Sequence, residues 1–116
     1  MTKPFKMVRN DLLPNVMATL KWKDGTLVDL TIAIGVQFHM LDPKGLIAIN
    51  EPATIVEPKT DGKVQYNWQD ARDGKLRDTD HLGKCKAEFE VTFSDGQTLT
   101  FPTEGGFYIL FREEYA

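Results

Sequence analysis

The chain has 116 residues, of which 41% are hydrophobic and 27% charged, a composition typical of a globular protein rather than a disordered tail or a fibrous repeat. Its 14 basic and 17 acidic residues leave a formal net charge of −3, which is too small to indicate nucleic acid or an anionic membrane as partner. The length fits one domain, and we predict a single domain over residues 1–116.

Alternating apolar and polar residues predict β-strands along most of the chain. In chain order the runs lie at residues 16–23, 36–40, 63–69 and 85–93, and a short return strand is predicted at residues 26–30. The apolar phase of each run should be buried while the polar phase faces solvent, as in an antiparallel sheet covered on one side. The residues predicted to lie inside are Val16, Ala18, Leu20, Trp22, Val36, Phe38, Tyr66, Trp68, Phe89, Val91 and Phe93.

Turn signals separate these runs. Four Asp-Gly pairs occur, and such pairs favour hairpins because glycine takes positive φ and aspartate tolerates it. The pair Asp95-Gly96 is the strongest, since residues 98–101 leave it as a second strand that Pro102 ends. The other turn and break signals are Asp24-Gly25, Pro43-Lys44-Gly45, Asn50-Glu51-Pro52, Asp61-Gly62 and Asp73-Gly74.

The fold class follows from these two patterns. No window carries apolar residues at helical spacing over three turns, so at most a turn or two of helix is expected. Short strands at this spacing are typical of a sandwich or barrel. We predict an all-β, immunoglobulin-like antiparallel β-sandwich of about seven to nine strands, with residues 70–82 as its longest connection.

Candidate catalytic and metal-binding residues are few. His39 and His81 have no zinc-ligand spacing, and His39 should face solvent or a neighbouring subunit. Cys85 lies on the inward phase of its strand and is predicted to fill the core rather than to act as a nucleophile. Residues 70–80 are rich in carboxylates but do not match an EF-hand, and their arginines and lysine favour a solvated, internally paired loop over a calcium site.

No other motif indicates chemistry. Gly105-Gly106 precedes a strand rather than a helix, which does not support a phosphate site. The positive charges near the N-terminus lack exposed aromatic partners for stacking on bases. We therefore predict a protein that is not an enzyme, has no catalytic residues, cofactor or metal, and binds neither nucleic acid nor a membrane. The lack of an apolar leader or spanning stretch indicates a protein made inside a cell.

Several short patterns also carry a family resemblance. In chain order they are Asp11 and Pro14, residues 24–31, 36–40 and 62–68, Asp80 and Gly83, residues 87–96, Phe101-Pro102 and a last apolar strand. This order resembles the immunoglobulin-like β-sandwich of tailed-phage structural proteins, in particular the N-terminal domain of baseplate upper proteins and related head-fibre and tail modules.

The resemblance implies a phage or prophage structural protein. It would be a non-catalytic assembly module of a tail, baseplate or head, located in the virion after synthesis in the bacterial host cytoplasm. Its partners would be other virion proteins and a second copy of itself. The alternative is a carbohydrate-binding adhesion sandwich that contacts a host surface, although the inward phases of Trp22, Tyr66 and Trp68 disfavour it.

The last strand, residues 107–111, suggests where a partner would bind. It is apolar on both phases, whereas a strand of a two-layered sandwich normally leaves one face wet. The extra apolar face is either covered by residues 70–82 or buried against another molecule. We predict a partner interface formed by Tyr108, Leu110, Arg112 and Tyr115.

Overall fold

The computed structural model describes residues 5–72, 74–102 and 107–113. Within these ranges the chain forms eight strands and one short 3₁₀ turn, which confirms the predicted all-β sandwich of seven to nine strands. The strands are β1 Phe5–Val8, β2 Val16–Thr19, β3 Ala33–Leu41, β4 Ile47–Ile55, β5 Lys63–Tyr66, β6 Gly83–Phe93, β7 Thr98–Phe101 and β8 Phe107–Arg112, with the 3₁₀ turn at Lys59–Asp61.

The strands are hydrogen-bonded one to the next in a continuous path, which folds over into two layers. Its order is β1-β8-β6-β3-β4-β5-β2, and β7 pairs with β6 beside this path. The first part of β4 pairs with β3, while its last residues, Thr54 and Ile55, pair with β5. The path therefore divides at β4 into a larger sheet (β1, β8, β7, β6, β3 and the start of β4) and a smaller sheet (the end of β4, β5 and β2).

Strand β6 is the centre of the larger sheet. One side of it pairs with β3 along almost its whole length, and the other side pairs first with β8 and then with β7. These neighbours are antiparallel, whereas β1 and β8 run parallel. The turn between β6 and β7 is the predicted Asp95-Gly96 hairpin, in which Gly96 has a φ of +87°. Glycine accommodates that angle because it has no Cβ.

The core between the two sheets is built around aromatic side chains. The ring of Phe38 on β3 stacks on that of Tyr66 on β5, with 4.5 Å between the ring centroids. The same ring lies 5.1 Å from that of Phe89 and meets Trp68 edge-on. All four side chains are buried. Aromatic burial of this kind is a main source of stability in a small domain.

The alternation pattern predicted this core well, with one error. All the predicted inside residues are buried except Ala18, which is half-buried, and Trp22, whose side chain is 41% exposed. The prediction for Trp22 is wrong because β2 ends at Thr19, so the period of two does not extend to residue 22. After β2 the chain pairs with the following segment instead of β5, through an isolated bridge between Lys21 and Leu27 and a hydrogen bond from the Trp22 N–H to the Thr26 carbonyl.

The predicted return strand at residues 26–30 is also absent from the described structure. The segment instead lies as an extended loop held by separate hydrogen bonds, in which Val28 N–H donates to the Leu20 carbonyl and Leu30 N–H donates to the Lys59 carbonyl. Val28 and Leu30 are nonetheless fully buried. Two core residues therefore come from a loop that has no strand partner to set its alternation.

The break predicted at Asn50-Glu51-Pro52 is wrong, because β4 runs through these residues without interruption. Pro52 lies opposite Gln37 of β3, and in the described structure this part of β4 has no strand on its other side. Proline is tolerated at such an edge because its missing N–H removes no bond from the interior of a sheet.

The pair Asp61-Gly62 lies, as predicted, in the connection of a hairpin, here between the antiparallel strands β4 and β5, but the connection is longer than a two-residue turn. The pair ends the 3₁₀ turn, with Gly62 in the left-handed region at a φ of +67°. The backbones of two other segments pack against this glycine, and a Cβ added here would lie 2.8 Å from the carbonyl oxygens of Leu20 and Val28. Glycine is therefore required by both its conformation and its surroundings.

The long connection, residues 67–82, is anchored to the core by Tyr66. The Tyr66 hydroxyl donates a hydrogen bond to a carboxylate oxygen of Asp78, and the same oxygen accepts from the Gln69 N–H at 2.9 Å. Farther along, Arg72 Nη2 donates to Glu51 Oε1 of β4 at 2.8 Å. The connection is thus fastened to both the smaller and the larger sheet.

We expect substitution of Phe89 by alanine to reduce the free energy of unfolding by roughly 3–5 kcal/mol, as is usual for large aromatic truncations in a core. Phe89 has no exposed surface and contacts the Phe38 ring. Urea unfolding followed by tryptophan fluorescence would measure the change. A loss below about 1 kcal/mol would contradict the central position of this side chain.

We expect Tyr66→Phe to cost about 1.5–3 kcal/mol, the range for a hydrogen bond to a charged group, because the ring stack is retained while the Asp78 carboxylate loses a donor. Urea unfolding again provides the measurement. Tyr108→Phe, which removes a hydroxyl from a half-exposed ring, is the matched control and should change stability by less than about 0.5 kcal/mol. Equal effects of the two variants would show that the anchor is unimportant.

Candidate functional site

The outer face of the larger sheet, which points away from the smaller sheet, carries a simple charge pattern. On β6 the buried residues alternate with outward ones, so Lys84, Lys86, Glu88 and Glu90 all lie on this face. The two lysines are exposed and the two glutamates half-buried. The strand therefore presents a basic half followed by an acidic half.

The predicted interface residues of β8 lie beside the basic half. Tyr108 pairs with Lys86, and Leu110 lies between Lys84 of β6 and Lys6 of β1. The Tyr108 side chain is 46% exposed, while Leu110 is half-buried. The ammonium group of Lys84 lies 4.9 Å from the centroid of the Tyr108 ring, a favourable cation–π position.

The remaining two predicted interface residues are less informative. Arg112 is exposed at the end of β8, where its guanidinium donates to the Glu113 carbonyl oxygen. Tyr115 lies outside the described residues. The structure therefore places Tyr108, Leu110 and Arg112 on the same side of β8, with Tyr108 and Leu110 beside the lysines.

The long connection does not account for the apolar phase of β8. Its contacts are with the core side of the sheets, where the His81 ring lies 6.0 Å from that of Phe111 and Asp78 accepts from Tyr66. Phe111 is buried and alternates with Leu110, so these contacts are on the opposite side of β8 from the outer face. Within residues 5–72, 74–102 and 107–113, Tyr108 keeps nearly half of its surface exposed.

The basic half of the outer face is not neutralised locally. In the described part of the chain no carboxylate lies within ion-pair distance of Lys6, Lys84 or Lys86. On the acidic half, His39 of β3 lies beside Glu88, with 3.4 Å between Nδ1 and Oε1. His39 is thus on the outer face, as its alternation predicted. The outer face is therefore positively charged at the start of β6 and negatively charged farther along the strand.

Grooves lie on the outer face along β3 and β4, beside Lys86, Glu88 and Glu90 of β6. Two shallow grooves with volumes of about 320 and 540 Å³ meet at His39 and Asn50. Gln37 of β3 donates to the Asn50 side chain at 2.9 Å across the second groove. Side chains of another molecule could enter these grooves and reach Glu88 and Glu90.

The loop at residues 70–80 is paired, but only in part internally. Arg77 Nε donates to Asp70 Oδ1 at 2.8 Å, and this hydrogen bond lowers the pKa of the Asp70 carboxyl. Asp80 instead pairs with Arg9, which lies just after β1. Among the described residues there is no group of three or more His, Cys, Asp or Glu side chains arranged to hold a metal ion.

A third groove, with a volume of about 420 Å³, lies between this loop and the start of β4. Its carboxylates already have partners: Glu51 pairs with Arg72, and Asp78 accepts from Tyr66. Asp42 accepts from two backbone N–H groups of the β3–β4 turn. These carboxylates therefore have structural roles, since Glu51 holds the connection to β4, Asp78 holds it to Tyr66 of β5, and Asp42 holds the β3–β4 turn.

Cys85 is fully buried in the core, as predicted. Burial raises the pKa of its thiol to about 11, and the negative charge of Asp42 adds to this shift. The thiol is therefore protonated at neutral pH, whereas a nucleophilic cysteine needs an accessible thiolate.

The sequence carries a signal for the outer face, although the alternation pattern alone does not reveal it. Lys84, Lys86, Glu88 and Glu90 form the polar phase of one strand, and Lys6 lies far from them in the sequence. Their order on alternate positions of β6 was visible, but their position next to Tyr108 depends on the pairing of β6 with β8.

Comparison with known proteins supports the fold. No protein-family model matches the sequence, and no curated protein is significantly similar to it. The structure is similar to the crystal structure of CopC from Methylosinus trichosporium OB3b, with a TM-score of 0.52 and 11% sequence identity over 99% of this chain and 89% of that chain. At this level of identity the similarity shows a shared fold.

This comparison corrects the family resemblance. A solved structure with the same fold is CopC, and no comparison links the chain to tailed-phage structural proteins, so that assignment is wrong. The assembly function in a tail, baseplate or head and the virion location depended on it and are wrong as well. The adhesion alternative is not supported either, although the exposure of Trp22 removes one of the arguments made against it.

No helix in the described part of the chain is long and apolar enough to cross a membrane.

We expect the raised pKa of Cys85 to make stability depend on pH in the alkaline range. The folded state favours the neutral thiol, so this stabilisation is complete below the ordinary cysteine pKa of 9.0 and is lost as pH rises from there to about 11. The loss amounts to roughly 2–3 kcal/mol. Urea unfolding of wild type and Cys85→Ala between pH 8 and pH 11 would isolate it, because lysine titration affects both proteins. Parallel pH profiles would contradict a buried thiol.

Proposed function

We propose that this protein is a non-catalytic β-sandwich that docks a protein partner on the outer face of its larger sheet. The observation that carries the proposal is the half-exposed Tyr108, adjacent to Leu110 and bordered by lysines that have no described carboxylate partner. Single exposed apolar residues are ordinary on protein surfaces, but Tyr108 and Leu110 lie side by side on a face whose grooves also expose Ile34 and Ile47, and apolar surface of this kind marks docking sites.

The chemistry of this patch favours a protein surface as the ligand. Tyrosine is enriched at the energetic centres of protein interfaces because it combines apolar area with a polar hydroxyl and few rotatable bonds. Lys6, Lys84 and Lys86 would pair with carboxylates at the rim, where charges set orientation and association rate. The complementary surface is therefore an apolar patch bordered by acidic residues.

Nucleic acid and anionic membranes fit the patch less well. Both present dense negative charge, and the chain carries a net charge of −3 that repels them at long range. The acidic half of β6 lies within two residues of Lys86, so a long polyanion crossing the face would meet Glu88. A protein surface can match both signs locally.

We also propose that the protein is not an enzyme. The reactive candidate of the sequence, Cys85, is a protonated thiol inside the core. His39 has the Glu88 carboxylate, rather than a nucleophile, as its hydrogen-bond neighbour. Neither arrangement resembles an activated nucleophile with an adjacent base.

We expect Tyr108→Ser with Leu110→Ser to weaken binding of an acidic peptide that contains apolar residues by at least about tenfold, because the apolar centre of the face is lost. NMR titration of labelled protein would measure the affinity and show whether shifts cluster on β6 and β8. Leu76→Ser, which alters a 65% exposed leucine in the connection, is the control and should bind like wild type.

Other outcomes of the titration would contradict the proposal. Equal affinity of the double variant and wild type would place the contact elsewhere. A single-stranded oligonucleotide or vesicles with anionic lipid that bound this face more tightly than the peptide would change the class of partner. Circular dichroism should verify that the double variant is folded.

A further inference from the structure

We infer that the outer face binds a second copy of this chain, with β6 of one protomer packed antiparallel across β6 of the other about a two-fold axis. This inference rests on the proposed function, because it names the partner of the same face. It comes from the order of charges on β6, where Lys84 and Lys86 are followed by Glu88 and Glu90 on one side of the strand. When a second β6 runs in the opposite direction, its glutamates therefore lie opposite the lysines of the first.

The two-fold axis would pass between residues 86 and 88. Lys86 then faces Glu88 of the second copy, Lys84 faces Glu90, and the same pairs recur on the other side of the axis. Residues on one side of a strand are spaced by about 7 Å, so the basic and acidic halves are separate enough for each lysine to find one carboxylate. A two-fold interface uses the same patch on both protomers and closes after two copies.

The other two-fold arrangement that packs two outer faces together is unfavourable. A two-fold axis parallel to β6 would place Lys84 on Lys84 and Glu90 on Glu90, and like charges in contact disfavour a complex. The lysines of one protomer also find no carboxylate within their own described chain. The antiparallel arrangement supplies the missing partners.

Apolar side chains supply the affinity that surface charges lack. Exposed ion pairs contribute only about 0–1 kcal/mol each, so they select the orientation more than they hold the complex. In the row that crosses the sheet at Lys86, the half-buried Leu41 lies on one side and Tyr108 on the other. The two-fold axis would bring Leu41 against the groove around His39 and Asn50 of the second copy, and it would place the Tyr108 side chains of the two copies next to each other on the β8 side.

Sedimentation of charge-reversal variants tests the arrangement. Wild type should be a dimer at about 200 µM, and its dissociation constant should rise several-fold between about 50 mM and 500 mM salt. Lys84→Glu with Lys86→Glu leaves four acids on the strand, while Glu88→Lys with Glu90→Lys leaves four bases. Each variant should be monomeric alone, and an equimolar mixture should form the mixed dimer.

Two further proteins complete the experiment. The quadruple variant, with both pairs reversed, restores complementarity and should dimerise like wild type, which also shows that the charge changes do not unfold the sheet. Lys44→Glu with Lys63→Glu is the control, because it makes the same change in net charge at exposed lysines outside the outer face and should leave the dimer intact.

The inference is overturned if wild type is monomeric at about 200 µM, if either double reversal dimerises as well as wild type, or if the mixture stays monomeric. A monomeric wild type that binds the acidic peptide through Tyr108 would overturn the dimer and leave the proposed function standing. A wild type that neither dimerises nor binds the peptide would overturn both.

Discussion

The contact of Tyr66 with both sheets and with the long connection is the constraint on which the rest of the structure depends. Its ring stacks on Phe38 of the larger sheet, and its hydroxyl donates to Asp78 of the connection. Because β5 is a short strand of four residues, its few ladder bonds alone would hold the smaller sheet weakly. The buried ring and the anchored connection together fix how the two sheets face each other.

Strand β6 joins this core to the surface that we propose to be functional. Its inward phase carries Phe89 and Cys85, and its outward phase carries the two lysines and two glutamates. Pairing with β3, β7 and β8 makes it the most enclosed strand of the described structure, so its outward side chains stand on a rigid support. A binding face on a central strand is held more precisely than one on a loop.

The same sequence motifs predicted the fold correctly and the family wrongly, and the reason is physical. The short motifs behind the phage resemblance, Asp-Gly pairs and alternating strand faces, specify turns and buried sides, and every β-sandwich needs them. They therefore predicted the sandwich correctly and misled about the family. The similarity to CopC at 11% identity makes the same point, since one sandwich can be encoded by very different sequences and can serve different functions.

The sequence by itself determined the all-β class, most of the core and the Asp95-Gly96 hairpin, because period-two burial and turn chemistry are local properties. Tertiary structure alone decided that Trp22 is exposed, that Val28 and Leu30 are buried without a strand, and that Pro52 lies within a strand. It also decided that Tyr108 lies beside Lys86. Each of these depends on which distant segment packs against the residue, and alternation along one strand carries no information about its neighbour.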